Sequence, residues 1–183
     1  SEQLGQMQIE LIQSIPALLL DSPLRLSGVA SMCSLLDGAL PERESQPGLY
    51  NGSVALLNVI VLDDENASWL EGYVRWELGL LAAVGYRLDL MRCVASGETV
   101  DLAYVSPKSG KAVALHHAGV FADRMLVLPK FLGGVSCPKH DWVAGLSLTG
   151  HFLSKRVFEV YNLGLPSQRK RLADMVDTRY NDS

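Results

Sequence analysis

Apolar and polar positions alternate from Gln6 to Ile15, with Met7, Ile9 and Leu11 set against Gln6, Gln8 and Glu10, the period of two expected of a half-buried strand. A single strand is not stable by itself, and the rest of the chain offers few partners. The segment therefore reads as the last piece of a sheet lying upstream, and the chain as a fragment. Past it the period changes. Ser22-Pro23 sets an N-cap before a proline at the first helical position, and Leu26, Val29, Ala30, Cys33 and Leu36 follow at helical spacing, which predicts a helix to about Leu40. A charged, proline-flanked connector, Pro41 to Gly48, leads to a second helix with Leu49, Tyr50, Val54, Leu57 and Val61 as its stripe and Asp63-Asp64-Glu65 as its solvated end. Asn66 can cap a third, in which Trp69, Tyr73, Trp76, Leu80, Leu81 and Val84 form a broad apolar face and Gly85 gives the stop.

From Tyr86 to Ala118 the pattern turns strand-like. Thr99 to Val105 and Lys111 to Leu115 are short β segments joined by the turn Ser106-Pro107-Lys108-Ser109-Gly110, a small hairpin insert. Helical spacing returns from Trp142 to Val160 through Val143, Leu146, Leu148, Phe152, Leu153 and Val157. Gly164-Leu165-Pro166 then precedes a last amphipathic segment ending near Val176. No self-similarity at a period of roughly 20 to 50 residues suggests a solenoid. The expected fold is mainly α: a helical bundle carrying a small β-hairpin insert.

Composition narrows the class. With 183 residues, 48% of them hydrophobic and 20% charged, the chain can bury one substantial core, and an overall disordered chain is excluded. A net charge of −4 means that any contact with phosphates must come from a local patch. Cys33, Cys93 and Cys137 are odd in number and widely spaced, which fits reduced thiols and a cytoplasmic location. The apolar runs Val54 to Leu62 and Leu78 to Val84 fall far short of the roughly 20 residues that span a membrane.

Candidate chemistry is sparse. Cys137-Pro-Lys-His140 is one half of a metal site, and Cys93 with His116 and His117 could supply the other. A zinc site normally shows two tight ligand pairs, however, and buried thiols with ordinary histidines explain the same residues. Ser136-Cys-Pro-Lys139 and Ser167-Gln-Arg-Lys170 match a serine-x-x-lysine spacing without its companion motifs, and Gly110-Lys111 lacks the rest of a phosphate loop. Asp63 with Asp64, and Asp174 with Asp177, sit at polar helix ends where solvation accounts for them. No catalytic residue and no cofactor is assigned, and an enzyme is not expected. Arg169-Lys170-Arg171, with Lys155 and Arg156 earlier, is the one positive cluster, suited to DNA phosphates or an acidic partner or else a solvated face. Trp69, Tyr73 and Trp76 are read as core packing in preference to a base-stacking platform.

One stretch is more specific. Arg75-Trp-Glu-Leu-Gly-Leu-Leu-Ala-Ala-Val-Gly-Tyr86, followed by Leu88, Leu90 and Cys93, resembles the RecO-family signature R-[FW]-E-L-x-L-L-x-x-x-G-[YF]. It is joined in order by Cys93-Val-Ala-Ser-Gly-Glu98, Tyr104-Val-Ser-Pro-Lys-Ser-Gly110, Thr149-Gly-His-Phe152, Tyr161-Asn-Leu-Gly164 and Ser167-Gln-Arg169, over roughly residues 8 to 175. The resemblance implies an OB-fold, of which residues 1–20 are the final strand and linker. It implies a helical domain over 21–183 with an insert at about 87–118. That insert is zinc-ribbon-like in many members. Here Ser96 stands where a partner for Cys93 is expected, and Val113 and Leu115 occupy the second half, so a degenerate, metal-free insert is expected.

The same resemblance implies a recombinational DNA repair mediator. Such a protein binds single- and double-stranded DNA, engages RecR, and helps load RecA, indirectly, onto strands coated by single-stranded DNA-binding protein (SSB), in the cytoplasm and on the nucleoid during repair. It implies that the helical domain receives the acidic, phenylalanine-ending C-terminal tail of SSB, with Arg75 taking part. Such a tail needs an apolar groove beside a cation. Glu71, four residues before Arg75, offers that arginine an ordinary surface partner instead. A tail held by one or two cations and an apolar anchor binds in the micromolar range, about −8 kcal/mol at 1 μM, and weakens with salt. Two alternatives stay open. One is a helical interaction scaffold using the Trp69–Trp76 face without a DNA role; the other is a metalloenzyme built on Cys93, Cys137 and the histidines.

Overall fold

A computed structural model describes residues 19, 21–40, 46–63, 67–135 and 140–180. The strand expected at Gln6–Ile15 lies outside these residues. Three helices come first: α1 (Pro23–Ala39), α2 (Pro47–Leu62) and α3 (Trp69–Ala83). Proline opens both α1 and α2, where its missing N–H costs no helical hydrogen bond. Gly85, at φ +92°, lets Tyr86 N–H reach back to the Leu81 carbonyl (2.7 Å) and closes α3 as the sequence predicts.

The centre of the core is α3. Trp69, Leu70, Tyr73, Val74, Leu80 and Leu81 are buried, so the aromatic stripe is packing. Each such side chain contributes about 1.5–3 kcal/mol by leaving water. α1 crosses the start of α3 through small residues. A Cβ on Gly28 would stand 2.6 Å from the Trp69 ring, so only glycine allows this approach. Ser31 Oγ meets Tyr73 OH at 2.6 Å beside it.

The inserted sheet has three strands, β1 (Leu102–Val105), β2 (Ala112–Ala114) and β3 (Leu126–Val127), antiparallel in the order β2-β1-β3. The Ser106–Gly110 turn forms as expected, with Gly110 at φ +70° donating to the Ser106 carbonyl at 2.9 Å. The expected hairpin forms between β1 and β2, and β3, which pairs with Tyr104 and Val105 and lies past residue 118, adds a third strand to it. At two residues it is too short for alternation to reveal. Between β2 and β3 run a short helix, α4 (Leu115–Ala118), and a 3-10 segment (Gly119–Arg124).

The chain then enters α5 (Asp141–Phe152), packed on α3, and α6 (Ser167–Tyr180), packed along α1. Regular α structure stops at Phe152, where a single helix to Val160 is expected. A wider π turn (Leu153–Phe158) and a 3-10 turn (Glu159–Tyr161) complete the path. The i to i+5 repeat of π winding aligns Leu153 with Phe158, both buried. α6 runs four residues beyond the expected Val176.

The expected faces of α1 and α2 are corrected. α1 buries Leu24, Ser27, Gly28, Ser31, Met32 and Leu35 and exposes Leu26, Ala30 and Cys33. α2 buries Leu49, Leu56 and Ile60 and exposes Tyr50 and Val54. The described residues are mainly helical with one small sheet, and none of their helices is long and apolar enough to cross a membrane.

Candidate functional site

α2 and α3 run side by side, and the seam between them is lined by residues with little or no side chain: Gly48, Gly52 and Ala55 from α2, and Gly72, Gly79 and Ala82 from α3. Two helices with small facing residues either close together or leave a trough. Here they leave a trough, because a Cβ added at Gly48 or Gly79 would meet nothing within 4 Å. The floor is Leu49, Leu56 and Trp76, with the indole Nε1 held by Ser53 Oγ at 2.9 Å. The groove measures about 640 Å³ and is mostly apolar, the size and character of a peptide or small-ligand site.

Two cations border it. Arg75, on the outer face of α3, donates through NH1 to Glu71 Oε2 (3.3 Å) and through NH2 to the Phe131 carbonyl (2.8 Å), with its guanidinium 5.2 Å from the Phe131 ring centroid. The Glu71 pairing foreseen from sequence is thus present. It is half exposed, so it contributes about 1 kcal/mol or less, and an incoming carboxylate can compete for the guanidinium. Arg87 is the cation that sequence reasoning missed. It stands two residues past the Gly85 stop, and only the return of α2 alongside α3 brings it to the groove. Its signal was the turn that follows the Arg75–Tyr86 motif.

The positive cluster is divided by the fold. Lys155 and Arg156 are exposed on the π turn; Lys155 Nζ pairs with Glu159 (2.9 Å) and Arg156 NH2 donates to the Lys108 carbonyl (2.6 Å). Lys170 and Arg171 are exposed on α6. Arg169 is not available to any partner: it is 1% exposed, which corrects its expected place among surface contacts. Its Nε and NH2 donate to the two oxygens of Glu77 at 2.5 and 3.0 Å, and NH2 also donates to the Leu146 carbonyl at 2.8 Å. Thr149 Oγ1 donates to the same carboxylate at 2.5 Å. Burial by itself would lower the Arg169 pKa; the charge and hydrogen bonds of Glu77, with Tyr73, outweigh it and hold the guanidinium above its ordinary value. Burial, then the nearby Glu77, pushes Tyr73 well above the usual tyrosine range.

Among the described residues, Cys93 and the histidines of the metal set considered from sequence do not come together. Cys93 is buried, its Sγ accepting from Ala114 N–H at 3.3 Å, and Cys137 lies outside the described residues. His140 stacks on Trp142 and Tyr180. Among the described residues, one group of three can share an ion, Glu98 with His116 and His117, and Cys93 is not in it. Burial raises the Cys93 pKa, but hydrogen bonds from the Ser96 side chain and from the Ala114, Ser96 and Ala95 backbone lower it further, to about 7. Trp69 and Tyr73 are fully buried, so of the aromatic face on which the scaffold alternative rested only Trp76 reaches the α2–α3 groove.

The family described as "Recombination protein O C terminal" matches residues 20–162. A protein named DNA repair protein RecO from Rhodospirillum centenum is 44% identical over 176 residues, 94% of this chain and 69% of the relative. Those from Phenylobacterium zucineum and Jannaschia sp. are 43% and 38% identical over 178 and 180 residues, 95% and 97% of this chain and 71% of each relative. No solved structure matches the chain.

Proposed function

The chain belongs to the RecO family of DNA repair proteins, and from that premise we propose that it is a non-enzymatic recombination mediator. In this reading it binds single- and double-stranded DNA, takes up the C-terminal tail of SSB and, with RecR, helps load RecA. DNA repair and recombination are the processes to which the family assigns it; the partners and the loading step are the proposal. With it go a cytoplasmic, nucleoid-associated location during repair and a division into the final strand of an OB-fold and a linker at 1–20 and a helical domain over 21–183 with an insert at about 87–118.

The observation that carries the reading is the α2–α3 groove with Arg75 and Arg87 at its borders. An acidic peptide ending in an aromatic residue needs an apolar slot for the ring and cations for the carboxylates. Gly52, Gly79 and Trp76 supply the slot, and the two arginines supply the charge. For DNA, the exposed Lys155, Arg156, Lys170 and Arg171 are the proposed phosphate contacts, positioning the duplex or strand without reading its sequence.

Fluorescence anisotropy of a labelled SSB C-terminal peptide, titrated with this protein across a salt series, tests the reading. Micromolar binding that weakens with salt, and that falls about tenfold in Arg75→Ala and in Arg87→Ala, is expected. Absence of binding by folded protein removes the SSB arm of the proposal.

A further inference from the structure

Glu98, His116 and His117 lie in the insert, away from the α2–α3 groove, and nothing in the repair role uses them. Their convergence has several causes in the chain. Gly97, at φ +77°, turns the backbone so that the Glu98 carbonyl accepts from Cys93 N–H at 2.7 Å. On the other side, Leu115 N–H donates to the Asp101 carbonyl at 2.8 Å, fixing the entry to α4, which carries the two histidines. The result brings one oxygen, Glu98 Oε2, within 3.2 Å of His116 Nε2 and 3.9 Å of His117 Nε2. Ser96 Oγ donates to the same oxygen at 2.9 Å.

A surface histidine–carboxylate pair explains one imidazole at this oxygen, not two. The rings sit 4.3 Å apart between centroids, close enough for one ion to reach a nitrogen of each. An ion between them accounts for both, since each imidazole offers it a nitrogen lone pair. All three donor atoms lie within 4.8 Å of one another. Ligands held about 2.0–2.2 Å from a tetrahedral zinc stand about 3.3–3.6 Å apart, a contraction that exposed side chains reach by small rotations. The donor set of two imidazoles and a carboxylate suits zinc and its neighbours, not magnesium or calcium.

We infer that Glu98, His116 and His117 form a binding site for a divalent transition-metal ion, zinc by its ligand chemistry, with the remaining coordination open to water. Ser96 orients the carboxylate through its hydrogen bond to Oε2. The ion clips the turn that precedes β1 to the helix that follows β2, tying together two ends of the insert. This ligand set contains no cysteine.

The test titrates zinc and cobalt(II) into chelator-stripped protein by calorimetry and absorption, beside His116→Ala, His117→Ala and Glu98→Gln. All three side chains are exposed, so the variants keep the fold, checked by circular dichroism. One equivalent of metal is expected, bound at least about tenfold more weakly in each histidine variant, with cobalt spectra lacking a thiolate charge-transfer band. Bound zinc also raises the Tm of the wild type and not of His116→Ala. No binding, binding that survives both histidine substitutions, or a thiolate band that reports Cys93 as ligand overturns the inference.

Discussion

α3 carries two glutamates paired with arginines on opposite faces. Glu71 and Arg75 are neighbours in sequence, 40% and 51% exposed at their side chains, and joined by one contact of 3.3 Å. Glu77 and Arg169 are 92 residues apart, 0% and 1% exposed, and bridged twice, with Thr149 and the Leu146 carbonyl completing the set. The chemistry is the same and the consequence differs. The exposed pair is loosely held, and its arginine borders a groove, so it can exchange partners. The buried pair ties α3, α5 and α6 together and has nowhere else to go.

Removing one member of the buried pair should have the largest effect. Glu77→Ala leaves the Arg169 charge buried without its partner, with an expected cost of about 3–5 kcal/mol in urea unfolding. Replacing both, as Glu77→Leu with Arg169→Met, should recover much of that loss. A Glu77→Ala protein with an unshifted urea midpoint would break the contrast.

Cys93 stands between the two pairs, being buried but held by hydrogen bonds without a countercharge. Its folded pKa of about 7 lies below its ordinary 9.0, so the thiolate contributes stability in full above pH 9, and that contribution is lost as pH falls through 7. Thermal unfolding should therefore show Tm rising from pH 7 to 9 more steeply in the wild type than in Cys93→Ser. Equal slopes would show that the hydrogen bonds do not favour the thiolate.

For stability the smallest effect belongs to Arg75→Ala, about 1 kcal/mol or less, while peptide binding drops about tenfold, or about 1.4 kcal/mol. Added salt should erase the Glu71–Arg75 coupling measured by a double-mutant cycle and leave that of Glu77–Arg169 nearly untouched. Equal sensitivity to salt would mean that burial does not separate the pairs.

How far these features could be read in the sequence follows the same division. The α3 stripe was legible because polar residues interrupt it at regular spacing. The buried face of α2 was not, since from Val54 to Leu62 only Asn58 is polar and the period singles out no side. On α1 the inward residues include Ser27, Gly28 and Ser31, which a hydrophobic pattern passes over although Trp69 needs their smallness. Arg169 was hidden by its company in Arg169-Lys170-Arg171. Yet it shares a helical face with Leu172 and Val176, and Glu77 falls beside Tyr73, Trp76 and Leu80, so each announced a buried partner. The groove was the least legible part, because it depends on two helices meeting through glycines.

The most direct test of the groove uses Gly79→Leu. The position opens onto empty space and sits mid-helix, so leucine improves helix propensity by about 1 kcal/mol while filling the slot beside Trp76. If the SSB tail binds there, anisotropy should show peptide affinity falling at least about tenfold with Tm unchanged or higher. Undiminished affinity in a folded Gly79→Leu protein would contradict the groove as the binding site.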